Sequence, residues 1–124
     1  MPSDPPPTAK EALAWIAIRD NARLAGEFVA GTNAAALEQD TRTLYAVVRC
    51  LEIISEASRR LRGVQQARFP ALEWREIEDA GNVYRHGYDR VLARRVLETV
   101  QDDLPRLLEA AESVVAALPG TEAP

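Results

Sequence analysis

Leu44, Val47, Leu51, Ile54, Ser58 and Leu61 recur every three or four residues. That spacing places all six on one helix face and marks the core seam of a bundle helix. A second stripe, Trp15, Ile18, Ala22, Ala25 and Val29, keeps a similar period. Leu13, Ile16, Leu24 and Phe28 widen its apolar face, so this helix is expected to be covered on two sides. Convincing alternation at period two appears nowhere, which argues against a half-buried sheet. A chain of 124 residues with 47% apolar content suffices for one domain with one core. The expectation is an all-α fold, an up-and-down bundle of four to five helices over residues 8–118. Flexible tails are expected at 1–7, which holds four prolines, and at 119–124.

Local signals punctuate that bundle. Thr8-Ala9-Lys10-Glu11 fits a capping box, with Thr8 as N-cap and Glu11 reaching back to it. The helix it opens runs to about Ala30 and ends at Gly31-Thr32-Asn33. A short helical turn is expected over Ala34–Glu38, and Asp40 is a good N-cap for the long helix that carries the seam. Arg59, Arg60 and Arg62 fall near that helix's end, where cations suit the helix dipole, and Gly63 is the expected C-cap. Val64 to Ala71 reads as a loop. A third helix is expected from about Leu72 to His86, ended by Gly87, with Asp89 capping the next. Pro105 cannot sit deep in a helix, so a break or kink is expected near Asp102-Asp103-Leu104. Leu107, Leu108, Ala111, Val114, Val115 and Leu118 mark the last helix.

Charge constrains partners. The net charge is −4, which argues against a general nucleic-acid coat. Between Arg59 and Arg95, however, nine arginines and no lysine stand against five acids, Glu73, Glu76, Glu78, Asp79 and Asp89. Arginine favours bidentate contacts to phosphate or carboxylate. Cys50 is the sole cysteine, so no internal disulfide forms, and a buried free thiol is expected. No apolar run approaches a membrane span and no signal-peptide pattern opens the chain, so a cytoplasmic protein with no membrane contact is expected.

The chemistry-bearing residues concentrate in the stretch from Trp74 to Asp89. It holds His86, the single histidine of the chain. Asn82 lies four residues earlier, on the same helix face, with Arg85 and Tyr88 adjacent. His86 reads either as a helix-end histidine capping carbonyls or as a general acid or base. In the second reading Asn82 orients the imidazole or binds a phosphoryl oxygen, and Arg85 stabilises charge on phosphate. RNA supplies its own nucleophile, the 2′-hydroxyl, so cleavage requires a base, an acid and a cation. Two copies of His86 across a dimer axis would supply both proton-transfer groups. Tyr88 reads as an exposed phenol able to stack a base or accept a covalent modification. Glu76, Glu78 and Asp79 do not all converge and read as a solvated face. One His and one Cys far apart give no metal-ligand cluster, and no glycine-rich phosphate loop is present, so no cofactor is expected.

Three linked blocks carry a family resemblance. Arg49-Cys50-Leu51-Glu52-Ile53-Ile54-Ser55-Glu56-Ala57-Ser58-Arg59-Arg60-Leu61 resembles the long-helix signature of the HepT-like branch of the HEPN superfamily. Phe69-Pro70, Trp74-Arg75-Glu76-Ile77, Asn82 and His86-Gly87-Tyr88 are similar to its P-x-x-x-W-R-x-I…R-N-x-x-x-H-x-Y block. Val96 to Val100 and Asp103 to Leu107 are similar to its closing block. The resemblance implies a HEPN-like bundle that forms a homodimer. It also implies a metal-independent ribonuclease acting as the toxin of a bacterial toxin–antitoxin pair, on tRNA or mRNA. Its partner would be a minimal nucleotidyltransferase (MNT) antitoxin able to transfer AMP to the motif tyrosine. Carried over, His86 is the catalytic histidine, Asn82 its polar companion and Tyr88 the AMP acceptor. With the two motif helices facing each other, Arg75, Arg85 and Arg90 would rim an RNA groove. One departure stands out: the motif arginine falls at Gly81. Arg85, one turn on, is expected to reach back into the vacated space. Glycine there costs about 1 kcal/mol relative to alanine, a sign that close approach or space is wanted. Without the motif arginine the alternative is a catalytically inactive interaction module that binds the nucleotidyltransferase.

Overall fold

The computed structural model describes residues 5–83 and 90–120, with the backbone alone at 82, 83, 90 and 91. Its elements are α1 (Ala9–Val29), α2 (Ala34–Gln39), α3 (Thr41–Arg59), α4 (Val64–Ala67), α5 (Trp74–Val83), α6 (Arg90–Glu98), a π-helical turn (Thr99–Asp103) and α7 (Leu104–Ala116). No strand occurs among the described residues, so the all-α reading holds.

The caps form as their side chains dictate. Thr8 Oγ1 accepts from the Glu11 amide at 3.2 Å while Glu11 Oε1 accepts from the Thr8 amide at 2.8 Å. Both orphan donors at the α1 start are thereby satisfied. Asn33 caps α2 through the Ala36 amide at 2.8 Å, and Asp40 caps α3 through the Thr43 amide at 3.1 Å. Gly31 takes the left-handed φ of 75° past the end of α1, a conformation glycine adopts without steric cost.

Two punctuation marks fall differently. Helix α3 ends at Arg59 with Arg60 as its cap, and Gly63, at φ 94°, precedes the extra turn α4. Pro105 sits at the start of α7, directly after the π-helical turn. The wider turn is where a helix absorbs a residue that lacks a donor and crowds the carbonyl four residues back. The expected kink is thus a π turn.

The core lies where α1, α3 and α7 meet. Trp15, Ile18, Val47, Leu51, Ile54, Leu61, Val96, Leu107 and Val114 are fully buried. The Trp15 ring meets Phe69 edge-on at 5.5 Å and Trp74 at 5.9 Å. Its indole N–H donates to buried Gln65 Oε1 at 2.9 Å, and the Gln65 amide donates to the Pro5 carbonyl at 3.2 Å. The residues that widen the apolar face of α1 find only part of the expected cover: Ile16 packs partly buried against the core, but Leu13 is 65% exposed and Leu24 and Phe28 41% each. Both faces of α1 are apolar in sequence, but α3 and α7 occupy only one of them. Cys50 is buried, which pushes its thiol pKa up. No helix among the described residues is long and apolar enough to cross a membrane.

Candidate active site

Helix α5 is the element that carries the motif, and its start is fixed by Trp74. The Trp74 indole N–H donates to the carbonyls of Gln66 and Phe69 at 3.0 and 3.1 Å. From there α5 runs antiparallel along α3, with Glu78 beside Arg59 and Gly81 beside Ser55 and Glu52.

Glu78 is buried, at 7% exposure, which corrects the solvated-face expectation for this residue. One carboxylate oxygen accepts from Arg62 Nε at 2.7 Å and the other from Gln66 Nε2 at 2.8 Å. The Arg62 contact, then the Gln66 hydrogen bond and the nearby Arg59 charge, hold its pKa below the ordinary value despite burial. Helix periodicity explains the miss: Glu78 lies one residue from the apolar Ile77 and turns toward the arginines that end α3.

Gly81 is buried, and a Cβ built there would stand 3.0 Å from the Glu52 Cα, 3.2 Å from Ser55 Oγ and 3.3 Å from Ser55 Cβ. Close approach, not vacant space, is therefore what glycine provides. The volume into which Arg85 was expected to reach is filled by α3, because the two helix backbones meet there. Ser55 Oγ accepts from the Gly81 amide at 2.8 Å and donates to the Ile77 carbonyl at 2.8 Å. Arg59 Nη2 donates to the Glu78 carbonyl at 2.6 Å.

The remaining motif residues divide by position. Arg75 is exposed in the first turn of α5. Asn82 lies in the last turn of α5 and Arg90 at the first position of α6. Arg85, His86 and Tyr88 lie outside the described residues. The structure does bring together residues that the sequence reading left out of the site: Glu52, Ser55, Arg59 and Glu78. A small polar residue inside the α3 seam, three residues before Ser58, was the available signal for Ser55.

Charge is distributed less favourably for RNA than the arginine count suggests. Arg59 is bonded to the Glu78 carbonyl, Arg62 to the Glu78 carboxylate and Arg60 to Glu56. Arg68 donates to Gln65 and lies over the Phe69 ring. Four of the nine central arginines thus serve contacts within the protein. Between α5 and the α6–α7 segment lies a cleft of about 590 Å³ floored by Leu51, Ile54, Ile77 and Leu104. Glu73, Glu76, Asp79, Glu98, Asp102 and Asp103 line it, against Arg95 and Arg106. The Glu76 pKa is raised, chiefly by its hydrogen bond to Glu73, and the Asp103 pKa is raised by burial and then by its acidic neighbours. The local field of such a cleft repels a polyanion. No group of acids, Cys and His able to hold a metal occurs among the described residues.

An all-helical bundle in which one long helix clamps a shorter, motif-bearing helix defines the class. The Ribonuclease HepT-like family matches residues 18–114, and the chain belongs to it. This places it within the HEPN superfamily. Over 68 residues the chain is 37% identical to a Thermococcus cleftensis protein named "Probable ribonuclease HepT", covering 55% of this chain and 62% of that one. Over 70 residues it is 34% identical to "Putative RNase MJ1380" of Methanocaldococcus jannaschii, covering 56% and 64%. The chain therefore spans less than two thirds of the length of these curated relatives. No solved structure matches it significantly.

Proposed function

We propose that the chain is a HEPN ribonuclease toxin that cuts RNA without a metal, in a groove between two copies. The observation that carries this reading is family membership across residues 18–114, which includes the whole Asn82–Tyr88 motif. In the proposed step the 2′-oxygen forms a bond to phosphorus while the bond from phosphorus to the 5′-oxygen breaks. One His86 takes the 2′-hydroxyl proton and His86 of the partner subunit gives a proton to the leaving 5′-oxygen. Asn82 holds the imidazole. Arg85 supplies positive charge to the phosphorane from its own position rather than from the space at Gly81. Arg75 and Arg90 bind flanking phosphates. A cognate MNT nucleotidyltransferase silences the toxin, with Tyr88 as AMP acceptor.

Induced expression tests this. Wild type should arrest growth and cleave RNA, with tRNA and mRNA examined separately, whereas folded His86→Ala and Arg85→Ala should do neither. A harmless wild type with intact RNA refutes it.

A second reading draws on a specific observation. A side chain at position 81 would crowd the Glu52 backbone and Ser55, and four central arginines are committed internally. A non-catalytic module that binds a nucleotidyltransferase fits that loss of cationic surface. It is favoured if wild type captures the partner and leaves RNA whole.

A further inference from the structure

Two serines of α3, three residues apart, use their hydroxyls in opposite ways. Ser58 Oγ donates to the Ile54 carbonyl at 2.7 Å, within its own helix. That is the usual way a mid-helix serine satisfies itself when buried. Ser55, only 1% exposed, has the same option but does not take it. It crosses to α5, donating to the Ile77 carbonyl and accepting from the Gly81 amide, both at 2.8 Å. Ile77 and Gly81 are four residues apart, so these two groups are the acceptor and donor of one backbone rung of α5. The hydroxyl therefore bonds both ends of a single rung. The next acceptor along, the Glu78 carbonyl, receives Arg59 Nη2 at 2.6 Å, and its rung partner is the amide of Asn82. Helix α5 stays α-helical through these residues, so the two bonds fix that rung against α3.

We infer that Ser55 is a positioning residue for the motif: its hydroxyl, held by the glycine contact at 81, fixes the turn of α5 from which the chain enters the motif at Asn82. This rests on the proposed role of His86. Gly81 permits the close contact, because a Cβ there would crowd the Glu52 backbone and Ser55. The position that carries the cation in the family's motif is thus occupied here by a backbone lock. His86 follows Gly81 by five residues of chain, and a misplacement of about 1 Å at a catalytic group costs about a hundredfold in rate.

Full-length Ser55→Ala and Ser55→Thr test this against wild type, with single-turnover RNA cleavage, RNA affinity and the imidazole NMR signal as readouts. One histidine in the chain makes that last signal unambiguous. Ser55→Ala is expected to fold, since α5 is α-helical at this turn and its backbone ladder does not depend on the hydroxyl. It should lose about ten- to a hundredfold in cleavage rate at saturating protein, keep its RNA affinity, and shift the His86 resonance and its titration midpoint. Ser55→Thr, which keeps the hydroxyl, should restore both rate and resonance. Cleavage at the wild-type rate in Ser55→Ala overturns the inference, as does an unmoved His86 signal. Global unfolding of Ser55→Ala also overturns it, by showing that the hydroxyl cements the fold rather than aims the motif. If wild type itself leaves RNA intact, the ribonuclease reading fails separately, and the His86 signal alone decides the role of Ser55.

Discussion

The same substitution, glycine to alanine inside a helix, should have opposite effects at two positions of this chain. Gly26 in α1 has nothing within 4 Å of a built Cβ, so alanine there adds only helix propensity. That gain is up to about 1 kcal/mol. Gly81 in α5 would gain the same amount, but its Cβ would lie 3.0 Å from the Glu52 Cα, a backbone atom that no rotamer change can move. Relieving such an overlap by shifting helices costs about 1–3 kcal/mol. It would also stretch the hydrogen bond from the Gly81 amide to Ser55, which is worth about 1 kcal/mol. The net expectation for Gly81→Ala is a loss of about 1–3 kcal/mol, or about 4–12 °C in Tm. Urea titration followed by far-UV circular dichroism reads both variants on one scale, and equal m-values license the comparison. Gly26→Ala should move the midpoint up and Gly81→Ala should move it down. Gly81→Arg, which restores the family's motif residue, should be worse than alanine and should not raise cleavage. A Gly81→Ala midpoint at or above wild type refutes the close-approach argument, and with it the reason given for the missing arginine.

Other expectations follow from the same contacts. Glu78 has a lowered pKa in the fold, so its contribution is present above its ordinary value of 4.5 and is lost as pH falls through the folded-state value. Glu78→Gln should therefore lower stability at neutral pH and flatten the acid limb of a Tm-versus-pH profile; an unchanged limb contradicts the assignment. Glu76 and Asp103 have raised pKa values and so the reverse sign: their protonation favours the fold, and stability falls as pH rises through their folded-state values. Glu76→Gln should raise Tm at pH 7 and leave it little changed in acid, which thermal scans at the two pH values check. Trp15→Ala removes a fully buried indole and its bond to Gln65, and should cost about 3–5 kcal/mol in denaturant titration.

What the sequence made legible was whatever depends on one helix at a time. The α3 seam, the capping box at Thr8 and the cap at Asp40 are local, because their partners lie within a turn. Pro105 announced a disturbance for the same reason, although its form, a π turn, depends on how α6 and α7 share the core. The misses all involve two helices. Leu13, Leu24 and Phe28 look like core because apolarity reports only that cover would be favourable, not that a neighbour is present. Glu78 looks solvated because its partners, Arg62 and Gln66, are 16 and 12 residues away. Ser55 looks like a small residue in an apolar seam until α5 is laid against it.

Gly81 shows why a motif residue and its structural neighbour have to be judged together. An arginine at position 81 would bring its Cβ to 3.0 Å from the Glu52 Cα and 3.2 Å from Ser55 Oγ, so it competes with the close crossing seen here. Here serine and glycine hold the crossing, leaving α5 and α3 in backbone contact. Any cation that serves the phosphate must then come from residues other than 81. The central arginines divide for a physical reason: those that end α3 and begin the following segment lie opposite Glu78 and Glu56, and charge-assisted bonds claim them. Of the five others, the side chains of Arg75, Arg94 and Arg95 lie among the described residues, and the proposed RNA-binding face would draw on these together with Arg85 and Arg90. Arg95 already lies on the acidic cleft. RNA affinity should consequently fall with salt, with a slope of only a few phosphate contacts per subunit. A slope near zero would remove the electrostatic basis for RNA binding, whatever the state of His86.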